Sequence, residues 1–325
     1  MFEYVIQENT AGMRLDKVLR KHLKAASDPF IYKMLRKKNI TLNSKKAEGN
    51  EITASGDVIR FWFSDETYEK MRGEEKKTES FAPPENFPEI RILYEDQDVM
   101  LFVKPSGVLS QKSFDGSYSV NEWLVDHAVR IGMLSGSEFE MFRPSIVNRL
   151  DQNTGGIIAA GLSLKGLKVL SELFRERTLC KYYYAIVVGR VKEGATLKSY
   201  LVKDEKKNEV WLYKEPVKGS KEIRTEFWPV RYDERQDLTL VKVHLLTGRS
   251  HQIRAHMNLI RHPILGDRKY GIPEVNLKFR KCGMCLLSYR IEFPECDLPG
   301  ISGKTFEIPV PANWPVRPDA EKCDD

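Results

Sequence analysis

Long hydrophobic runs, a cysteine framework and phosphate-cradling glycine loops are all missing from this 325-residue sequence. No apolar stretch approaches the ~20 residues of a membrane helix, so no membrane partner is expected. The first residues, MFEYVIQENTAG, have neither a basic start nor a long apolar run. A signal peptide is therefore not expected, and a cytoplasmic location is. Five cysteines, an odd number, do not suggest disulfide bridging. Cys282 and Cys285 form a C-x-x-C with Cys296 beyond. A zinc knuckle needs a fourth ligand, and His262 is the only loose candidate. Cys285 also leads into CLLSYRIEF, which reads as a strand, so core thiols are expected there. Neither a Walker loop nor a G-x-G-x-x-G occurs, which leaves no motif for a nucleotide cofactor.

What is present is a globular composition, 41% hydrophobic and 30% charged, in a chain long enough for two domains. Charge is informative by segment. Residues 1–63 carry 12 Lys/Arg against 7 Asp/Glu, residues 64–100 carry 5 against 11, and residues 101–325 carry 35 against 28. Two basic bodies joined by an acidic stretch suggest a polyanionic partner.

Residues 64–88, SDETYEKMRGEEKKTESFAPPENFP, have few core-forming residues and many charges, and read as a linker stiffened by Pro83-Pro84. Before them, GMRLDKVLRKHL puts Leu15, Val18, Leu19 and Leu23 on one helical face. SDPFIYKMLRKKN offers Asp28 as N-cap, Pro29 at the first helical position and Asn39 as a terminator. Its Ile31, Met34 and Leu35 face inward, and Lys33, Arg36, Lys37 and Lys38 are left for solvent or phosphate. Strands follow in NITLN and in GDVIRFWF, with a turn at Gly56-Asp57. This order of pieces resembles the alpha-L RNA-binding motif over about fifty residues, which implies a clamp for structured RNA. Taken without the resemblance, the lysines are a solvated face.

Residues 89–325 have a β-rich texture with interspersed helices. IRILYEDQDVMLFVKPSGVLS gives two apolar runs around Glu95–Asp98. Ser163 can cap a helix that turns Leu164, Leu167, Leu170, Leu173 and Phe174 inward. CKYYYAIVVGRV and LTLVKVHLLTG are strongly β-prone. The expected fold class is α+β, a mixed and largely antiparallel sheet with helices against it.

The stretch VNRLDQNTGGIIAAG, 147–161, sets one carboxylate, Asp151, between buried-strand flanks and the Gly155-Gly156 turn. Asp, Asn and Gly are ordinary turn residues, so a plain connection is one reading and a reactive carboxylate on a rigid scaffold the other. Tyr182 and Tyr183 open the strand KYYYAIVVG. TGRSHQIRAHMNLIRHPILGDRKYG, 247–271, lies within the most basic window of the chain: residues 242–281 hold nine Lys/Arg against two acids. By itself that window is a basic surface helix, with Ile253, Met257 and Ile260 as a core face.

Together these motifs resemble the pseudouridine synthases of the RluA family, through YEDQDVMLFVKPSGVLS, VNRLDQNTGGIIAAGLS, KYYYAIVVG and the whole of 247–271. With the N-terminal motif, the chain is similar to two-domain members acting on large-subunit ribosomal RNA. It departs at Asn148, where the family often has histidine before R-L-D, and at 286–288, LLS in place of L-H-A. The resemblance implies a monomeric enzyme that isomerises uridine to pseudouridine in RNA, with no cofactor and no metal. Asp151 would carry the chemistry, attacking sugar or base or accepting the 2′-proton, and Arg254 would keep it charged. Tyr183 would stack on the target base and relay its carbon 5 proton, and Ile253 would wall the base pocket. Arg149 would hold the RNA open, and Arg249, Lys33, Arg36, Lys37 and Lys38 would contact it. The main rival is an RNA-binding or ribosome-assembly protein with a dead site, for which the Asp151, Tyr183 and Arg254 set would be unnecessary. A thiol redox protein using Cys282 and Cys285 lacks the βαβ context such a motif needs.

Overall fold

A computed structural model describes residues 1–73, 83–113, 116–133, 141–205 and 207–318. In the N-terminal unit, strands Phe2–Val5, Ile40–Leu42, Lys45–Lys46 and Val58–Phe61 form an antiparallel sheet in the order first, fourth, second, third. Helices Leu15–His22 and Asp28–Arg36 cover it, burying Leu15, Val18, Leu19, Leu23, Ile31 and Leu35 against Ile40, Ile59 and Phe61. The apolar spacing of the two helices is what fixes their inner faces.

Two local expectations are corrected. The second helix is capped by Ser27 rather than Asp28: the Ser27 hydroxyl accepts from the Phe30 amide, and Asp28 is already helical. A hydroxyl at the half-in position satisfies an orphan N–H, and the Asp28 charge then favours the positive end of the helix. The helix also ends before Asn39, at Lys37, and Lys38 takes the left-handed turn at φ 60°.

The linker is corrected as well. Asp65–Arg72 forms a helix, capped by Ser64, inside the segment expected to be open chain. One aromatic anchors it. Tyr68 is buried, stacks on Phe2 with centroids 3.8 Å apart, and its hydroxyl meets His22 Nε2 at 2.7 Å. The N-terminal unit therefore runs past residue 63. Residues 74–82, the middle of the expected linker, lie outside the described residues. The unit also touches the larger body: Met141 joins its core, and the Lys21 ammonium donates to the Met141 carbonyl at 2.5 Å.

The larger body is built on an eleven-stranded sheet. Nine strands run edge to edge in the order 209–213, 195–204, 221–233, 238–245, 180–188, 286–292, 155–161, 99–104 and 91–95. Strand 305–307 pairs beside 286–292, and 145–146 beside 155–161. Every pairing is antiparallel except that between 155–161 and 286–292. Both faces of the central strands are covered, so those strands read as unbroken apolar runs. Met100, Phe102, Ile158 and Ala160 face one core, with Trp123 and Leu124 of helix Val120–Arg130. Val99, Leu101, Ile157 and Ala159 face the other, with Leu170 of helix Leu164–Glu176. The capping expected of Ser163 is present, its hydroxyl accepting from the Gly166 amide at 3.0 Å.

Gly155-Gly156 is where the parallel pair closes. Gly156 has φ 126°, and a Cβ there would stand 2.3 Å from the Ser288 carbonyl oxygen. Glycine is required by both the dihedral and the approach.

Candidate active site

The loop that carries Asp151 is held by the KPSGVLS segment. Lys104, fully buried at the end of strand 99–104, donates to the carbonyls of Pro105, Val108 and Gln152 at 2.9, 2.7 and 2.9 Å. Burial lowers the pKa of its ammonium to about 7, while the Asp151 charge opposes the shift. Ser110 Oγ donates to the Leu150 carbonyl and accepts from the Leu150 amide, at 2.7 and 3.0 Å. The Thr154 amide closes the turn on the Asp151 carbonyl at 3.0 Å. Asn148 also has a defined task. Its Oδ1 accepts from the Ala159 amide at 2.8 Å and its Nδ2 donates to the Ile157 carbonyl at 3.3 Å, tying the loop to the strand after it.

The second element is helix Gln252–Leu259, which is no surface helix. Residues 252–257 are all buried. Gln252 explains much of the T-G-R-x-H-Q-I-R spacing: its Oε1 accepts from Thr247 Oγ1 and the Arg249 amide, and its Nε2 donates to the Arg224 carbonyl and Thr225 Oγ1. His251 enters the helix at φ 55°. Asp267 arrives from the turn after strand-like Ile264, where Gly266 has φ 80° and a Cβ would meet the Gly283 carbonyl oxygen at 1.8 Å.

Arg254 joins the two elements. Its Nη1 donates to Asp151 Oδ2 at 2.8 Å, and its Nε and Nη2 form a two-pronged pair with Asp267 at 2.7 and 2.9 Å. The guanidinium lies over the Tyr270 ring, 5.2 Å from its centroid. Against the opposing pull of burial, hydrogen bonding to Asp267 and the charges of Asp267 and Asp151 raise the Arg254 pKa. Asp267, itself desolvated, is held below the usual carboxylate range by Arg254. His251 Nε2 stands 3.8 Å from Asp151 Oδ2, and its Nδ1 is 3.0 Å from the Tyr270 hydroxyl. Burial keeps that imidazole below its ordinary pKa. Among the described residues, Asp151 Oδ1 takes no hydrogen bond, so one carboxylate oxygen is pinned and the other is free.

These groups open into a cleft of roughly 710 Å³. Asp151, Arg149, Arg249, Tyr183, Ile253 and Arg254 all line it, so six residues singled out by motif converge on one place. Leu150, Tyr183, Leu245, Ile253 and Leu286 give it an apolar floor, of a kind that receives a planar base. Burial raises the Tyr183 phenol to about 12, helped by the Asp151 charge, so it keeps its proton at neutral pH. Arg149 is exposed, with Nη1 3.3 Å from Gln111 Oε1. Lys33, Arg36, Lys37 and Lys38 stand elsewhere, exposed on the N-terminal unit. Sequence reasoning passed over Lys104, His251 and Asp267, although all three sit inside quoted motifs; the signal was present and their partners were not.

Cys282 and Cys285 are free thiols. Cys282 donates to the Asn313 carbonyl at 3.2 Å and Cys285 is buried. His262 is engaged by the Val188 carbonyl at 2.9 Å. Among the described residues no cluster of three or more His, Cys, Asp or Glu is placed to hold a metal ion, and no helix is long and apolar enough to cross a membrane.

Residues 98–259 match the family model for RNA pseudouridylate synthase. A ribosomal large subunit pseudouridine synthase C of Vibrio vulnificus is 30% identical over 266 residues, covering 82% of this chain and 79% of the relative. The chain belongs to this family. It is an RNA pseudouridine synthase. An uncharacterized RNA pseudouridine synthase of Mycoplasma genitalium is 25% identical over 317 residues, 96% of this chain and 93% of its own. The human RNA pseudouridylate synthase domain containing 4 shares the fold, with a TM-score of 0.54 and 21% identity over 68% of this chain and 89% of that one. The matched segment spans Lys104, Asp151, Tyr183 and Arg254 and stops before Asp267.

Proposed function

We propose that this synthase isomerises uridine in large-subunit ribosomal RNA with Asp151 as its single catalytic carboxylate. One observation carries the reading: among the described residues lining the cleft, Asp151 is the only Asp or Glu. Hydrolysis of a glycosidic bond generally uses two carboxylates, one to activate water and one to protonate the leaving group. Asp267 cannot be the second, since its side chain has no exposed surface and both oxygens are taken by Arg254. Isomerisation needs no second acid and no water. The base is cut from the ribose at nitrogen, turned within the cleft and rejoined through carbon 5, and atoms and electrons balance without a co-reactant.

Each route open to Asp151 starts from the ionised form: attack on the sugar, attack on the base, or acceptance of the 2′-proton. Arg254 maintains that form in a partly desolvated site and, by holding Oδ2, leaves Oδ1 to the substrate. His251 acts as a positioning residue. The Tyr270 hydroxyl accepts from the Val210 amide at 3.1 Å, which directs its own proton to His251 Nδ1 and leaves the imidazole proton on Nε2, facing Asp151. Tyr183 stacks on the base and relays its carbon 5 proton. The target base must leave its stem to reach this pocket, and Arg149 helps hold the RNA open.

The basic face of the N-terminal unit supplies RNA affinity. The Vibrio relative, a ribosomal large subunit pseudouridine synthase by name, supports large-subunit ribosomal RNA as the target. The test is pseudouridine mapping of ribosomal RNA from cells with the gene, without it, and complemented with Asp151→Asn. A site that vanishes on deletion and returns only with the natural gene supports the reading. A pseudouridine pattern unchanged by deletion refutes the ribosomal target, and a site restored by Asp151→Asn refutes the carboxylate.

A further inference from the structure

Among the described residues, Lys181 is a buried cation without an anion. It is 7% exposed on strand 180–188, two residues before Tyr183. Strand alternation turns both side chains to the cleft face, about 6.6 Å apart along the chain, and both line the cleft. The Lys181 ammonium lies over the Phe174 ring, 5.7 Å from its centroid. Arg177 stands beside it, ending helix Leu164–Glu176 in the left-handed conformation at φ 59°. Arg175 on the same wall is paired with Glu172 and Glu176. Among the described residues, neither Lys181 nor Arg177 meets a carboxylate. Burial lowers the Lys181 pKa, and the Arg177 charge pushes the same way. A buried charge is costly unless paired, and two neighbouring cations with no acid between them make a place that an anion completes.

We propose that Lys181 and Arg177 form a phosphate subsite that holds the RNA strand next to the uridine presented to Asp151 and Tyr183. The proposal rests on the cleft being the uridine site, and it adds the ligand group and the wall that binds it. Tyr183 sets where the base lies, and a phosphodiester is tethered to that base within one nucleotide, the reach that separates Tyr183 from Lys181. The subsite explains why a lysine occupies a strand position otherwise fit for an apolar residue. A lysine that merely snorkels would need no cationic neighbour.

Pentauridylate binding to the full-length protein is compared with binding of the same oligomer carrying neutral methylphosphonates in place of its phosphodiesters. Lys181→Met keeps an unbranched stem beside Phe174 and removes the charge. Arg177→Asn suits the left-handed backbone. Each substitution is expected to weaken the phosphodiester oligomer about tenfold. Each should flatten its salt dependence by roughly 0.7 of a log–log unit, with no effect on the neutral oligomer. Equal losses on both oligomers would make the wall a packing feature, and no loss on either would make Lys181 a snorkelling side chain; both results overturn the subsite. Failure of the uridine-site reading looks different. Pentauridylate would then bind no more tightly than pentaadenylate, while the charge-dependent effect of Lys181→Met persisted.

Discussion

Two basic stretches of this chain end in opposite environments. Lys33, Arg36, Lys37 and Lys38 line the exposed edge of helix Asp28–Arg36 and the turn after it. Arg254, in the most basic window, is 7% exposed and locked between Asp151 and Asp267. The cations are alike; the acids that meet them are not. A surface ion pair is worth ~0–1 kcal/mol and is screened by salt, so a solvated cation acts through its field on a distant polyanion. A buried pair has fixed geometry, and removing one partner costs about 3–5 kcal/mol. On the proposed reading the first arrangement gives affinity and the second gives chemistry, which separates the experiments that probe them.

The sharpest break in that contrast is Asp151→Asn, which keeps the shape and removes the charge that Arg254 holds. Turnover is expected to fall at least about 10³-fold, while RNA affinity stays within about threefold. Appreciable residual turnover in single-turnover assays would end the assignment. Asp151→Glu should fail nearly as badly, since a displacement of about 1 Å is decisive here. Next comes Arg254→Lys. A lysine cannot bridge two carboxylates with a planar fork, so about a 100-fold loss of turnover is expected, with a lower thermal midpoint because Asp267 is left poorly paired. Turnover near the natural level would remove Arg254 as the partner of Asp151.

His251→Asn tests a smaller term. Asparagine tolerates the left-handed backbone but does not reach Asp151, so kcat should drop about tenfold, the lower end for an orienting partner, with KM unchanged. Histidine-selective ¹⁵N spectra should show the proton of His251 on Nε2 in the natural protein; a proton on Nδ1 would contradict the positioning role.

Away from the site, each region also carries a histidine whose pKa burial lowers to about 4, and these two should behave alike. Burial lowers His22 from 6.5 to about 4, with the charges of Arg72 and Lys24 adding to it, and burial alone does the same to His256. The unfolded chain takes up these protons from about pH 6.5 downward, whereas the folded protein resists until about pH 4. Their contribution is therefore complete above pH 6.5 and is lost as the pH falls towards 4. Thermal midpoints should decline across that window, and His22→Gln and His256→Gln should each reduce the slope. A slope unaltered by either change would show that other groups set the acid limit.

Smallest for turnover is neutralising Lys33, Arg36, Lys37 and Lys38 together. The kcat should stay the same, and the salt dependence of RNA binding should flatten by roughly one log–log unit per lost contact. Equal slopes in the two proteins would make the face only a solvated surface.

Several features of this architecture were legible without coordinates. The helix faces around Leu15 and Leu19, the strands at 99–104 and 180–188, and the turn at Gly56 follow from periodicity and glycine chemistry within a few residues, whereas Gly155-Gly156, expected as a turn, opens strand 155–161 and the turn falls at Gln152-Asn153. The helix Asp65–Arg72 was hidden because its burial rests on one side chain, Tyr68, whose partners Phe2 and His22 lie far back in the chain. The helix Gln252–Leu259 was only half legible: Ile253 and Met257 read as a core face and resemblance paired Arg254 with Asp151, but the second acid on Arg254, Asp267, and the burial of the rest of the helix appear only in the fold.

By itself the sequence determined the element types, the glycine turns and the identity of one isolated carboxylate, because caps, turns and apolar periods are local interactions. Only the tertiary structure decided that Arg254 is shared between two acids, that Asp267 is sealed and Asp151 is not, that Lys104 staples the Asp151 loop, and that Lys181 faces the cleft with no carboxylate partner among the described residues. Those are matters of desolvation and charge pairing, whose strength depends on what lies within a few ångströms in space, and chain closure across a hundred residues sets that distance.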